Sequence, residues 1–267
     1  MAEPRPEWAT PDLDLSTATL ARIYDYQLGG AHNFAVDREF ADRIEEQLPG
    51  AARTAWQNRH LLRRAVRFCV EQGIDQFLDI GSGIPTQGNV HEVARELNPD
   101  VRVVYVDVDP IAVLHSRTLL DGDQRCGVVR ADFREPDAIL GDPVTRRLID
   151  FDRPVAVLLI YLLHVIPDAA HPAELLARLT ARTVPGSYLA ITHFGPNFGS
   201  PEQIARILEW SRSTTTPVVM RTPEEVKALL GDFEPVPPGI VPLHEWRPDP
   251  DSDAARSGGY AVVARKV

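Results

Sequence analysis

The feature that most constrains the fold of this chain is a series of five short apolar runs separated by stretches with helical spacing. The runs, which begin at residues 76, 101, 128, 154 and 187, are QFLDI, VRVVYVD, VVRAD, PVAVLLI and SYLAITHF. Each is rich in β-branched residues and short enough to be a buried strand. Strands that alternate with helices predict an α/β fold, in which crossover helices cover a mostly parallel sheet.

The two ends of the chain differ from this central pattern. Residues 1–14 are polar and are predicted to be a flexible tail. Residues 15–72 carry three apolar stripes with helical spacing and predict a helical segment in front of the sheet. Residues 73–267 form the sheet-containing unit, in which PVPPGIVPLHEW and GYAVVARKV predict an antiparallel pair at one edge. The three segments together predict one structural domain.

The composition argues against several classes of protein. A formal net charge of −10 disfavours non-specific binding to nucleic acid, because such a surface repels a polyanion. No apolar run approaches the roughly 18 residues of a membrane span, and the polar N-terminus lacks the apolar core of a signal peptide. Cys69 and Cys126 have neither metal-ligand spacing nor a disulfide framework. We therefore expect a cytoplasmic protein without a metal site.

A glycine turn follows the first predicted strand. The sequence Asp79-Ile80-Gly81-Ser82-Gly83 lies at the carboxyl end of that strand, where open parallel sheets bind ligands. Glycine there lets the backbone approach a ligand closely. A dinucleotide would require a third small residue for helix packing, but that position is Thr86. An adenosyl ligand without phosphate also needs the glycines, but it does not need a helix N-terminus that binds an anionic phosphate.

Carboxylates also end the next two predicted strands. Asp107 follows Gly83 by 24 residues and can accept hydrogen bonds from both ribose hydroxyls. Any nucleoside ligand needs such a group, so Asp107 does not distinguish an adenosyl ligand from NAD. Asp132 closes the third run and can accept from an adenine amino group, with Phe133 placed against the ring. Three successive strand ends with carboxylates favour a nucleoside cofactor over a structural coincidence.

These residues resemble the class I S-adenosylmethionine-dependent methyltransferases. The resemblance covers residues 77–194 and is carried, in order, by LDIGSG, VYVDVDP, RADF, LLHVIPD and VPGSYLAITHF. ARIYDYQLGGAHNFAVDREFADRI, NRHLLRRAVRF and QFLDIGSGIPTQGNVHEVA further resemble one actinobacterial family of predicted methyltransferases, formerly labelled a domain of unknown function. The resemblance implies a Rossmann-like, mostly parallel seven-stranded sheet with an antiparallel C-terminal strand. It also implies S-adenosylmethionine as cofactor, but no particular acceptor.

The resemblance assigns cofactor-binding residues along the strand ends. Asp79, Gly81 and Gly83 are assigned to the amino-acid end, Asp107 with Val108 to the ribose, Asp132 with Phe133 to the adenine, and Ile160 with Tyr161 to the methionine part. The IPTQG that follows Gly83 is longer than the usual tight turn. Which backbone amides face the ligand is therefore not fixed by the resemblance.

The N-terminal helices are predicted to form a lid over the cofactor. Their apolar stripes need a surface to cover, and Gly29-Gly30 provides a joint that can move. Tyr24 and Asn33 flank this joint and are predicted to reach the cofactor. Aromatic residues are also expected to line the pocket of a small-molecule acceptor: Tyr24, Tyr26, Phe34, Phe194, Phe198, Trp210 and Trp246.

Methyl transfer needs alignment and exclusion of water, and a general base only where the acceptor arrives protonated. His164 and His193 follow the fourth and fifth strands and are candidates for that base, although either imidazole can equally be structural. A metal site at His164, Asp168 and His171 is disfavoured, because they straddle a proline-containing turn. Two alternatives stay open: an NAD-linked oxidoreductase, and a non-catalytic sensor that binds S-adenosylmethionine.

Overall fold

The computed structural model describes residues 15–85, 88–196, 199–212, 217–250 and 258–267. The predicted tail, residues 1–14, lies outside this part of the chain, as do Thr86 and Phe198. Helices are α1 Leu20–Gln27, α2 Ala35–Gln47, α3 Ala51–Glu71, α4 Val90–Arg95, α5 Pro110–Leu119, α6 Pro136–Gly141, α7 Pro143–Leu148, α8 Pro172–Thr180, α9 Pro201–Ser211 and α10 Pro223–Ala228. Strands are β1 Gln76–Ile80, β2 Arg102–Asp107, β3 Cys126–Arg130, β4 Ala156–Ile160, β5 Tyr188–Phe194, β6 Phe233–Pro235, β7 Val241–Pro242 and β8 Gly259–Lys266.

The strands form one sheet in the order β3-β2-β1-β4-β5-β8-β6, and β7 also pairs with β8. Strands β1 to β5 pair in parallel, whereas β8 is antiparallel to β5, β6 and β7. The predicted mostly parallel sheet with an antiparallel C-terminal strand is confirmed. Within the described residues the sheet has eight strands rather than seven. The extra strand arises because β6 and β7 share one edge of β8, divided by the proline pair Pro237-Pro238.

The central strands are buried on both faces. Leu78 of β1 and Val104 of β2 belong to one apolar cluster, while their neighbours Phe77 and Val103 belong to the cluster on the opposite face. Side chains alternate between faces along a strand, so helices on both sides are needed to cover these residues. The strands therefore appear as continuous apolar runs in the sequence.

No helix among the described ranges is long and apolar enough to cross a membrane.

A buried ion pair joins the first two helices. The Arg22 guanidinium on α1 lies 2.9 Å from the Asp37 carboxylate on α2, and both side chains are almost fully buried. Asp37 also accepts hydrogen bonds from the backbone N–H groups of Thr19, at 3.0 Å, and Phe34, at 2.9 Å. Replacing either residue by an uncharged one would leave the other charge buried without its partner, which is strongly destabilising. The pair therefore fixes the packing of α1 against α2.

The Gly29-Gly30 joint is held by a buried carboxylate. Oδ2 of Asp25 accepts hydrogen bonds from the His32 backbone, at 2.8 Å, and from the Asn33 side chain, at 2.9 Å. A Cβ atom on Gly30 would lie only 2.1 Å from Oδ1 of Asp25. Position 30 therefore excludes any residue but glycine in this packing. These contacts define the arrangement of the loop in this structure, and movement of the predicted joint would have to break them.

We expect Gly30→Ala to lower the free energy of unfolding by about 1–3 kcal/mol, because the new methyl group overlaps the Asp25 carboxylate. Chemical denaturation measures the change. Gly141→Ala is the matched control, since its Cβ would meet only Arg146, at an ordinary 3.7 Å. That control should shift the free energy by less than about 0.5 kcal/mol. Equal effects at the two glycines would show that Asp25 does not restrain the loop.

Candidate functional site

A cavity of about 620 Å³ lies between the carboxyl ends of the parallel strands and the N-terminal helices. The strand-end side of the cavity includes Asp79, Gly81, Gly83, Asp107, Ile160 and Tyr161. Its other walls come from α1, α2, α3, α9 and residues 217–220. The volume lies within the usual range for small-molecule sites, and its position at the strand ends is the one that open α/β sheets use.

The glycine turn is held against the end of β2. Gly81 and Gly83 adopt positive φ angles of 70° and 69°, a region that favours glycine. The backbone N–H groups of Gly81 and Ser82 donate to the carbonyl oxygen of Val106 at 2.8 and 3.1 Å. A Cβ on Gly81 would lie 2.8 Å from the Leu162 side chain. The turn is therefore confined between β2 and the loop after β4, with its glycines open to the cavity.

Asp79 and Arg59 put opposite charges beside the glycine turn. Both side chains are buried, and both line the cavity. Burial raises the pKa of Asp79 to about 7, Arg59 opposes this rise, and Asp107 adds to it. A cationic ligand group beside Asp79 would favour its ionised form. The two residues can accept the ammonium and carboxylate groups of a free amino-acid end.

Asp107 joins the end of β2 to the glycine turn. Its Oδ2 accepts from the Gly83 N–H at 2.7 Å, and its Oδ1 accepts from the Asp109 N–H at 2.8 Å. Burial raises its pKa, while these two hydrogen bonds oppose the rise. Asp109 has a separate task, because its side chain caps α5 by accepting from Ile111 N–H at 2.7 Å. Val108 lies between the two carboxylates, is 57% exposed and also lines the cavity.

Asp132 lines the cavity from the loop after β3, not from within the strand. The predicted third run placed it at the strand end, but β3 stops at Arg130. Both carboxylate oxygens lie 3.0 Å from Nε of Arg134, and hydrogen bonds from Arg134 lower the pKa of Asp132. Phe133 is buried and lines the same part of the cavity.

An aromatic cluster borders the cavity where β4 and β5 end. Tyr161 adopts φ 55°, a conformation that non-glycine residues rarely take and that occurs preferentially at functional sites. Its ring stacks on Phe194 with centroids 4.5 Å apart, and Tyr24 meets its edge at 6.3 Å. The Tyr24 hydroxyl donates to the Ala55 carbonyl and accepts from Asn58, which ties α1 to α3.

His164 lies beside this cluster and lines the cavity. Its side chain is buried, and its ring meets Phe194 edge-on at 4.6 Å. Nδ1 is buried and has no hydrogen-bond partner among the described residues. Burial lowers the pKa of His164 well below its usual value, and His193 and Arg221 lower it further. His164 is therefore neutral at pH 7, and its Nδ1 is enclosed in the wall of the cavity.

His193 is held away from the cavity. It is fully buried and is not among the described residues that line the cavity. Arg221 Nη1 lies 2.9 Å from Nε2 of His193, and Nδ1 lies 2.9 Å from the Phe194 carbonyl oxygen. Because the guanidinium can only donate, Nε2 accepts and Nδ1–H donates. Both ring nitrogens are occupied, so the geometry gives His193 a structural role and leaves His164 as the better-placed candidate base.

Four of the predicted lid and pocket residues that the structure describes do not line the cavity: Tyr26, Asn33, Phe34 and Trp246. Asn33 is not among the described residues that line the cavity, because its side-chain amide donates to Asp25 and to the Gly30 carbonyl. Trp246 is fully buried in a core cluster and likewise does not line the cavity. Of the aromatic residues expected at the acceptor, the described ones that line it are Tyr24, Phe194 and Trp210.

Sequence reasoning missed Arg59 and Arg221. Arg59 lies on the predicted apolar stripe of the third helix, four residues after Ala55 and three before Leu62. A charged residue within an apolar stripe could have indicated a functional role from the sequence alone. Arg221 has no local signal, because it lies just before α10 and its partners are distant in sequence. It donates to the carbonyl oxygens of Leu163 and Ile166, at 2.7 and 2.9 Å, as well as to His193.

No group of three or more histidine, cysteine or acidic side chains in the described ranges could hold a metal ion. The three residues weighed as a metal site have other neighbours. Asp168 pairs with Arg221 at 2.6 Å, and His171 lies 3.9 Å from Glu174.

Comparison with known proteins identifies relatives along nearly the whole chain. The sequence profile of one family, described as S-adenosyl methyltransferase, matches residues 6–267. A candidate methyltransferase from Thermobifida fusca is 42% identical, with a TM-score of 0.91 over 98% of this chain and 99% of that one. A DUF574 family protein from Streptomyces avermitilis is 36% identical, with a TM-score of 0.90 over 95% of this chain and 99% of that one.

A more distant structure is the N-methyltransferase NodS from Bradyrhizobium japonicum in complex with S-adenosyl-L-homocysteine. It is 13% identical, with a TM-score of 0.50 over 84% of this chain and 97% of that one, and this likeness shows a shared fold alone. Among curated proteins, no match was found.

The buried His193 should make stability depend on pH in a defined window. Burial lowers the pKa of His193 to about 4, whereas an unfolded histidine titrates near 6.5. Between these values the unfolded chain binds the extra proton, so stability is present above pH 6.5 and is lost as pH falls toward 4. A shift of this size is worth up to about 3 kcal/mol.

We expect His193→Gln to remove roughly 2–3 kcal/mol of the stability change between pH 7 and pH 4.5, since an amide does not titrate. Urea denaturation at both pH values measures this difference. His171→Gln is the control, because the His171 side chain is 70% exposed. A wild-type pH dependence that survives in His193→Gln would mean that His193 is not a buried neutral imidazole.

Proposed function

Since the chain belongs to the S-adenosyl methyltransferase family, we propose that it transfers the methyl group of S-adenosylmethionine to a small-molecule acceptor bound in the 620 Å³ cavity. The family makes the protein an S-adenosylmethionine-dependent methyltransferase; it does not identify the acceptor. The observation that supports the proposal is a single cavity that joins the carboxylates at the strand ends to an apolar space under the N-terminal helices.

The residues present fit the cofactor. S-adenosylmethionine has an adenine, a ribose with two hydroxyls, and an amino-acid end that carries both an ammonium and a carboxylate. Asp107 would accept from the ribose, and Asp132 with Phe133 would meet the adenine. Asp79 would hold the ammonium, and Arg59 the carboxylate. This arrangement requires no phosphate-binding helix, unlike the NAD alternative.

When bound, the cofactor supplies a methyl group that is already activated on a sulfonium ion. The protein itself has to align the acceptor with this methyl group and to exclude water from the site. Tyr161, Phe194 and Tyr24 form rigid aromatic walls for this alignment. His164 is the histidine that lines the cavity and would be the base for an acceptor that arrives protonated. Its lowered pKa leaves the ring neutral but makes it a weak base, and Nδ1 would first have to become accessible to the acceptor. Arg221 and His193 would position the loop that carries His164.

The direct test of this proposal is calorimetric titration with S-adenosylhomocysteine and with NAD. We expect S-adenosylhomocysteine to bind and NAD to bind far more weakly or not at all, because the site provides charges for an amino-acid end. Preferential binding of NAD would contradict the proposal and favour the oxidoreductase alternative. Tight binding of S-adenosylhomocysteine without turnover of any acceptor would favour the sensor alternative.

The assignment of Arg59 gives a sharper prediction. Arg59→Met should weaken S-adenosylhomocysteine binding by roughly 10- to 100-fold, the range expected for one hydrogen bond to a charged group. The same variant should bind 5′-methylthioadenosine as the wild type does, because that nucleoside lacks the amino-acid end. Arg53→Met changes an exposed arginine of the same helix and should leave both affinities unchanged. Equal losses for the two ligands would show that Arg59 supports the site only structurally.

A further inference from the structure

The cavity is divided by charge into two parts. All the charged residues among its described lining lie at the strand ends, on the loops that follow them, or on α3: Asp79, Asp107, Asp109, Asp132, Arg59 and Arg134. The described lining from α1, α2, α9 and residues 217–220 contains no charged residue. We call this second part the acceptor chamber. Its apolar walls include Ile23, Phe40, Ile44, Leu48, Ile207 and Trp210.

The absence of charge from this lining is not due to a lack of charged residues in the helices. The 13 residues of α2, AVDREFADRIEEQ, include seven that are charged, yet the helix lines the chamber through Phe40 and Ile44. In α9, Glu202, Arg206 and Glu209 are likewise not part of the lining. The amphipathic patterns of these helices therefore direct uncharged faces to the chamber.

The polar groups near the chamber are neutral. The Tyr24 hydroxyl is already bonded to Ala55 and Asn58, and Thr19, Gln27 and Ser211 are the other uncharged polar residues that α1, its N-terminal flank and α9 contribute to the described lining. His164, on the loop after β4, also lines the cavity, but its Nδ1 is buried in the wall, where it has no partner among the described residues. A ligand thus meets apolar surface and a few neutral polar groups in the described part of the chamber.

A charged group in the chamber would lose its hydration without gaining a partner of opposite charge from the described lining there, which is strongly unfavourable. An apolar body of the same size would gain free energy from burial. We propose that the methyl acceptor is an electrically neutral, largely apolar molecule that is methylated at a neutral nucleophilic group such as a hydroxyl or an N–H. This inference rests on the proposed function and specifies its substrate class.

The test uses three naphthalene probes that share one ring system and differ in charge: 2-naphthol, 2-naphthoate and 2-naphthylmethylammonium. Each is titrated at pH 7 into full-length protein saturated with S-adenosylhomocysteine. We expect 2-naphthol to bind at least tenfold more tightly than either charged probe. Tighter or equal binding of a charged probe would overturn the inference, as would failure of all three probes to bind at millimolar concentration.

A charged residue introduced into the chamber wall tests whether the probes bind in the chamber. Ile44→Lys adds an ammonium to the wall formed by α2 and should improve the affinity of 2-naphthoate relative to 2-naphthol by at least tenfold. Leu97→Lys is the control, since Leu97 is 50% exposed and is not in the described lining. An unchanged preference in Ile44→Lys would mean that the probes bind elsewhere, and would overturn the inference.

Binding of S-adenosylhomocysteine is measured first for the wild type and for each variant. It distinguishes a failure of the proposed function from a failure of the inference about the acceptor. Wild-type protein that fails to bind it contradicts the proposed function itself. Ile44→Lys is expected to retain this binding, because Ile44 lies on α2 and not on the strand ends, their loops or α3, which carry the proposed cofactor-binding charges. Retained cofactor binding with the wrong probe preference contradicts only the inference about the acceptor.

Discussion

A single buried guanidinium holds together three separate segments around the site. Arg221 donates to two carbonyl oxygens in the loop after β4, to Asp168 in the same loop, and to His193 on β5. The segment that contains Arg221 also contacts this loop through Val219, whose N–H donates to the His164 carbonyl oxygen. Arginine suits this task because its planar fork offers five donors at once. Lysine could satisfy only part of this set.

The same guanidinium has an electrostatic effect on the site. Arg221 lowers the pKa values of both His164 and His193, in addition to the larger effect of their burial. Two neutral imidazoles therefore lie next to a permanent cation. His193 uses its lone pair to accept from that cation, whereas Nδ1 of His164 has no partner among the described residues. Of the two histidines, only His164 is in the described lining of the cavity, and this position makes it the candidate base.

The division of the cavity follows from the different origins of its walls. Parallel strands bring their carboxyl ends to one edge, so Asp79 and Asp107 meet there with the glycine turn. The helices of the opposite wall are amphipathic and turn uncharged faces inward. A nucleoside cofactor with an amino-acid end would match the first surface, and the neutral acceptor proposed above would match the second.

The sequence allowed most of the fold to be predicted because the strands are buried on both faces and bounded by glycine and proline. The run QFLDI coincides with β1, and Asp79, Asp107 and Asp132 all line the cavity. The end of β3 was placed two residues too late, since β3 stops at Arg130 and Ala131 makes only one further hydrogen bond to β2, from its N–H to the Asp107 carbonyl oxygen. The positions of Asn33 and His193 depend on Asp25 and Arg221, and such tertiary contacts leave no periodic signal in the sequence.

The central claim is that the strand ends and the N-terminal helices form one site. Amide hydrogen exchange with and without S-adenosylhomocysteine tests it most directly. We expect the ligand to slow exchange at residues 79–83 and 107–109 and, in the same experiment, along α1, whose Tyr24 shares the cavity with those residues. Slowed exchange at the strand ends with no change in α1 would contradict the claim, because the helices would then lie outside the cofactor site.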